Sequence, residues 1–246
     1  MSTTTYLLTI SYVGTAYSGW QVQPGQSTVQ GIIESLLQKV FGKRIVLRYA
    51  SRTDSGVHAL GQVAGFTCES DYSAEQMLKI LNTQLPNDIV VTDVKLVDSS
   101  FDPRKAVKKT YFYLISDSKI RNPFTLDRVW WLRYKLNKSN MLKALEFFKG
   151  KKDFKAFMAS GSDVKSTIRE IYGISFIESG DDIRIIFTGN GFLKQMIRNI
   201  VGTVVDVGRG KFEVDDVVRI LESRNRICAG VTAPAHALYL DKVYYE

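Results

Sequence analysis

The chain has 246 residues, 45% apolar and 24% charged, which fits a soluble globular protein with a substantial core. Its formal net charge of +8 and pI of about 9.3 favour an anionic partner, nucleic acid first among them. No apolar run approaches the ~20 residues that span a bilayer. The opening Met1-Ser2-Thr3-Thr4-Thr5 lacks a signal-peptide pattern, and the chain reads as cytoplasmic.

Thr5–Val13 predicts a strand, rich in β-branched and aromatic residues. Residues 28–41 predict a helix capped by Thr28 or Ser27, with Ile32, Ile33, Leu36, Leu37 and Val40 on one face and Gly42 ending it. Strands are predicted over Arg44–Ala50 and Gln62–Thr67. Ser73 caps a helix to Thr83, and Ile89–Val97 is the next strand. That order, β-α-β-β-α-β, is the ferredoxin-like pattern.

The second half repeats it. Lys109–Ser116 predicts a strand, Ser139–Lys149 a helix, and residues 167–178 and 182–188 a hairpin about Ser179-Gly180-Asp181. Helices follow over Phe192–Val207 and Val214–Ser223, then a strand over Leu238–Tyr245. Residues 18–27, 117–137 and 151–166 read as long polar loops. The expected fold class is α+β. Two ferredoxin-like halves, 1–104 and 105–246, join into one broad mixed or antiparallel sheet with helices on one face.

Cysteines 68 and 228 and histidines 58 and 236 have no zinc-ligand spacing, so no metal site is expected, nor a disulfide in a reducing cytosol. Neither G-x-G-x-x-G nor G-x-x-x-x-G-K-[ST] occurs, so nucleotide cradling is not expected. Basic residues cluster at Lys105, Lys108 and Lys109, at Lys149, Lys151 and Lys152, and at Arg224 and Arg226. Tyr111, Phe112, Tyr113, Phe154 and Phe157 lie close by in sequence. That mixture suits RNA, where rings stack on bases and cations hold phosphates.

The strongest local signal is Ser51-Arg52-Thr53-Asp54-Ser55-Gly56-Val57-His58-Ala59, too long and polar for a minimal hairpin turn. In an extended segment, Arg52 and Asp54 project the same way. Taken alone, Asp-Ser-Gly reads first as turn chemistry; a catalytic carboxylate is the second reading.

The stretch ASRTDSGVHA resembles the signature of the tRNA pseudouridine synthase A family, with Ser51 and Ser55 in place of the usual Gly and Ala. Further segments match in order. Tyr12–Gln21 is similar to the family's Y-D-G-x-x-Y-x-G-W-Q, with Val13 for Asp. Lys109–Tyr113 resembles its K/R-x-Y-x-Y strand, Asp153–Phe157 its D-F-x-x-F turn, and residues 192–202 its F-x-x-x-M-V-R-N-I-V-G helix. Thr232-Ala233-Pro234 with Leu238-Tyr239-Leu240 resembles its TAP…GLYL strand, with Ala237 for Gly and His236 for Glu.

The resemblance implies a cofactor-free isomerase that converts tRNA uridines at positions 38, 39 and 40 of the anticodon stem-loop to pseudouridine. It implies a homodimer and a tRNA partner, with no role for DNA or membrane. Asp54 becomes the essential carboxylate, Arg198 its cation and Tyr111 the ring on the flipped uracil. Arg52 holds the flipped nucleotide, and Leu238 floors the base pocket. His58 joins the substrate-binding set from the matched stretch, and Lys151 and Lys152 join it as phosphate contacts. Lys194 and Arg198 share a polar helix side at i, i+4 spacing; Lys194 is read as solvent-exposed and Tyr113 as structural. Two alternatives remain open: a non-catalytic binder of two RRM-like halves, though no full RNP1 run is present, and a synthase acting on another RNA.

Overall fold

The computed structural model describes residues 3–162 and 164–245. In chain order, the first elements are β1 (Thr3–Tyr12), α1 (Val29–Phe41), β2 (Arg48–Tyr49), β3 (His58–Glu69), α2 (Ala74–Gln84) and β4 (Ile89–Val97). Then follow β5 (Lys108–Ser116), β6 (Trp130–Trp131), α3 (Lys138–Glu146), β7 (Gly150–Asp153), β8 (Ile168–Ser179), β9 (Asp182–Gly189), α4 (Met196–Gly208), α5 (Asp216–Ser223) and β10 (Leu238–Tyr244). The chain divides into two compact α+β units, residues 1–107 with 239–246, and 108–238.

In the first unit the strands run in the order β4-β1-β3-β10, with β2 also on β3. β1 is antiparallel to β3 and β4, and β10 is parallel to β3 through Tyr239–His58 and Leu240–Ala59. Reading by order alone places the last strand with the second half; here it completes a sheet begun by β1. Alternation along β1 buries Tyr6, Leu8, Ile10 and Tyr12 on one face, as a half-buried strand requires. Thr28 caps α1 by accepting from Gly31 N–H, and Gly42 ends it at φ 67°. Ser73 and Gln76 form a reciprocal capping box on α2. Asn82 then exchanges two hydrogen bonds with the Val91 backbone, fixing α2 to β4.

The strand expected over 44–50 shrinks to Arg48–Tyr49. Ile45 and Leu47 alternate inward as a strand would place them. The Leu47 N–H, however, donates to the Glu34 carboxylate of α1 at 2.8 Å rather than to a neighbouring strand.

The second unit has the order β5-β9-β8-β7, all antiparallel, with β6 parallel to β5. The stretch expected as loop over 151–166 begins as strand: Lys151 and Lys152 lie on β7, opposite Glu170 and Arg169. α4 is buried nearly all round, from Met196 to Gly208, as its apolar composition demands. It starts four residues later than predicted, because Gln195 adopts a left-handed φ of 60°. Lys194 therefore precedes the helix and does not pair with Arg198 at helical spacing; its side chain is exposed.

Candidate active site

In the first unit, the loop before β3 is fastened at nearly every residue. The Ala50 N–H donates to Val63 O, and the fully buried Gln62 amide donates to Ser51 O at 2.7 Å. Thr53, 7% exposed, shares a 2.7 Å hydrogen bond with the Tyr12 hydroxyl, and its carbonyl accepts from Trp20 N–H. Val57 N–H closes a turn onto Asp54 O at 3.1 Å, with Gly56 at φ 79° in the region glycine tolerates. Tyr17 O accepts from Gly56 N–H and from the Ser55 hydroxyl. The Ser55 departure thus adds a tie, and Ser51 is held through its backbone.

The opening motif is therefore the cradle of the Asp54 loop. Trp20, fully buried, packs its ring against Tyr12 and Tyr49 at 5.9 and 5.6 Å. The Tyr17 hydroxyl donates to Asp88 at 2.6 Å; burial, with that carboxylate, pushes the phenol above its usual range. Gly14 and Gly19 stand against the loop with no room for a side chain. A Cβ on Gly14 would lie 2.0 Å from Val57 O, and one on Gly19 2.6 Å from Thr53 O. Val13, the departure from the motif, uses its N–H on Asp88 O. Within this frame Arg52 is exposed and Asp54 half-buried, while Thr53 between them points inward. Arg52 Nε reaches Tyr49 Oη at 3.4 Å.

His58 lies at the end of this loop. It is 1% exposed, its Nδ1 accepts from Gly14 N–H at 3.0 Å, and its ring lies 4.7 Å from Tyr239. A side chain this deep helps hold the loop in place.

In the second unit, Tyr111 sits on β5 opposite Phe187, with its ring edge-on to Phe192 at 5.3 Å. The Tyr113 hydroxyl donates to Pro234 O at 2.7 Å, so this residue is structural as expected. Burial holds its phenol well above the ordinary range, with the Arg198 charge opposing. Arg198, half-buried in the first turn of α4, donates from Nε to Ala233 O at 2.8 Å. Its own carbonyl accepts from Ala233 N–H at 3.1 Å. Leu238 is buried at the head of β10. Lys151 is exposed and Lys152 half-buried on edge strand β7.

Phe154 and Phe157, grouped above with basic residues as candidates for stacking, are fully buried. Phe157 packs edge-on against Phe148 at 5.0 Å, so the D-F-x-x-F turn turns both rings inward. Sequence reasoning gave no role to Gln62, Tyr17, Asn199, Arg226 and Thr232: Tyr17, Asn199 and Thr232 lie within matched motifs and Arg226 within a basic cluster, while Gln62 stood outside any motif. Cys68 and Cys228 are free thiols, and no helix among the described residues is long and apolar enough to cross a membrane.

The family described as tRNA pseudouridine synthase matches this chain over residues 8–104 and 144–246. A tRNA pseudouridine synthase A of Pseudothermotoga lettingae is 42% identical over 240 residues, 97% of this chain and 98% of that one. One of Caldicellulosiruptor saccharolyticus is 44% identical over the same length and shares. Among solved structures, a crystal structure of a Cbf5-Nop10-Gar1 complex aligns at a TM-score of 0.36 and 12% identity. It covers 81% of this chain and 54% of that one, a likeness that carries no argument.

Proposed function

The chain belongs to the tRNA pseudouridine synthase family, and from that premise we propose that it isomerises uridine to pseudouridine at positions 38, 39 and 40 of tRNA, in the anticodon stem-loop. The supporting observation is the Asp54 loop: buried groups fasten its backbone on both sides and leave Arg52 exposed and Asp54 half-buried. Such preorganisation is what a reaction centre needs, since misplacement by ~1 Å costs ~10²-fold in rate.

The reaction breaks C1′–N1 and makes C1′–C5. N1 gains a proton, the C5 proton leaves, and no electron is gained or lost. The target base is first flipped out, at a cost of a few kcal/mol in unstacking. Arg52 holds the everted nucleotide, its planar guanidinium suiting both stacking and phosphate. Asp54, ionised, either attacks C1′ or takes the C2′ proton to give a glycal. Arg198 is the cation assigned to the same step. Tyr111 stacks on the uracil and takes the C5 proton at the end, over an apolar floor at Leu238. Lys151 and Lys152 hold phosphates. The enzyme works as a cytoplasmic homodimer, with the RNA touching both subunits.

The test uses transcript tRNA tritiated at uridine C5, with sequencing of the modified positions. Wild-type protein releases tritium from positions 38–40. Asp54→Asn and Asp54→Ala bind the RNA with nearly unchanged affinity and release none. Binding without release by the wild type would mark a binding module instead, and release from other positions a synthase with another target.

A further inference from the structure

Behind Arg198 lies a polar network that the reaction above does not use. The Arg226 guanidinium donates from Nη1 to Gly230 O at 2.9 Å, with Ala229 O at 3.4 Å. From Nη2 it reaches Thr232 Oγ1 at 2.8 Å and Asn199 Oδ1 at 3.0 Å. The Thr232 hydroxyl in turn donates to Asn199 Oδ1 at 2.7 Å. Asn199, fully buried beside Arg198 on α4, donates from Nδ2 to Phe157 O at 2.8 Å. One cation therefore ties helix α4, the turn at Phe157 and residues 229–232 together.

That segment leads directly to the groups holding Arg198. Ala233 exchanges two hydrogen bonds with Arg198, one of them to the side-chain Nε. Gly230 N–H donates to the Thr203 hydroxyl at 2.9 Å. The segment also lies so close to α4 that a Cβ on Gly202 would sit 1.7 Å from Val231 O. Ala233 follows directly on this held stretch, so its carbonyl is placed by residues 229–232.

We propose that Arg226 is a positioning residue for Arg198, acting through the backbone of residues 229–233. The inference rests on the synthase role given to Arg198 above. A guanidinium is required because it offers several donors in one fixed plane, and the acceptors here sit on two separate pieces of chain, residues 229–232 and Asn199 of α4. Lysine keeps the charge and cannot span them.

The experiment compares Arg226→Ala, Arg226→Lys and Leu145→Ala, the last a core truncation in α3 outside the site that controls for lost stability. Single-turnover tritium release gives the rate, filter binding gives tRNA affinity, and hydrogen exchange follows the amides of 229–233. Arg226→Ala lowers the maximal rate about 30- to 100-fold, the range that ~1 Å of misplacement produces. It changes tRNA affinity less than threefold and speeds exchange at Gly230 and Ala233. Arg226→Lys falls between it and wild type, and methylguanidinium restores part of the Arg226→Ala rate. Leu145→Ala keeps its rate. A rate loss in Arg226→Ala no larger than in Leu145→Ala, or one seen in affinity alone, overturns the proposal. Should wild-type protein release no tritium, the functional reading fails by itself. Exchange then still decides whether Arg226 holds the segment, and unchanged protection overturns that too.

Discussion

Gly14→Ala isolates the cradle from the chemistry it serves. Gly14 does not have a positive φ, so alanine meets no backbone penalty there and only space is tested. The new Cβ would stand 2.0 Å from Val57 O and 2.6 Å from Val57 C. Approaches under 3.0 Å essentially never occur, so the two segments must part by about 1 Å. Overpacking of this kind costs ~1–3 kcal/mol. The same movement loosens the 3.0 Å bond from Gly14 N–H to the buried His58 Nδ1, and leaving such groups unpaired costs a further ~1–3 kcal/mol. A total of ~2–6 kcal/mol falls short of or just reaches the lower end of the ~5–15 kcal/mol by which folded proteins are stable. Val57 is hydrogen-bonded to Asp54 O, so the displacement passes to the carboxylate, and ~1 Å there predicts a ~10²-fold slower reaction. Urea unfolding and single-turnover tritium release, run well below the variant's melting point, measure the two effects separately. Wild-type stability would refute the packing argument. Lost stability with an unchanged rate would refute the claim that the cradle aims Asp54.

Replacing Lys151 and Lys152 by Gln should weaken tRNA binding and lower the slope of log K against log salt by ~0.7–0.9 for each phosphate no longer neutralised, without changing which uridine reacts. An unmoved slope would assign the two charges to protecting the open edge of β7 from pairing with another strand. Burial, with the Arg169 charge adding to it, pushes the Lys109 ammonium down to about 8. Its folded value lies below its unfolded one, so stability should rise as pH climbs from about 8 toward the ordinary lysine range near ~10.4, and stay flat below. Lys109→Met should abolish that rise, and a melting-temperature profile identical to wild type would contradict it.

Elements whose signals are local were legible in the sequence. α1 announced itself through the Thr28 cap, one apolar stripe and Gly42, and α2 through the Ser73 cap, because each signal acts within a turn or two of the chain. Elements decided by distant partners were not. Ile45 and Leu47 have a strand's alternation, yet the Glu34 carboxylate takes the Leu47 N–H that a ladder would have used. Apolar spacing ran back to Leu193, while the left-handed Gln195 sets the first helical residue at Met196. For the site, the motif resemblance pointed to Asp54, Arg198 and Tyr111 by residue type. It gave no sign that His58 turns inward to Gly14, or that Phe154 and Phe157 are core, since burial depends on segments far away in the chain.

The parallel pairing of Tyr239 and Leu240 with His58 and Ala59 carries a temporal consequence. A ribosome delivers the Asp54 loop early, yet the strand flanking it emerges only after residues 108–238 have been made. A nascent chain halted anywhere in between lacks the Tyr239 ring behind His58 and leaves that margin of β3 bare. The sheet around the Asp54 loop is therefore complete only once the last strand of the chain has been made.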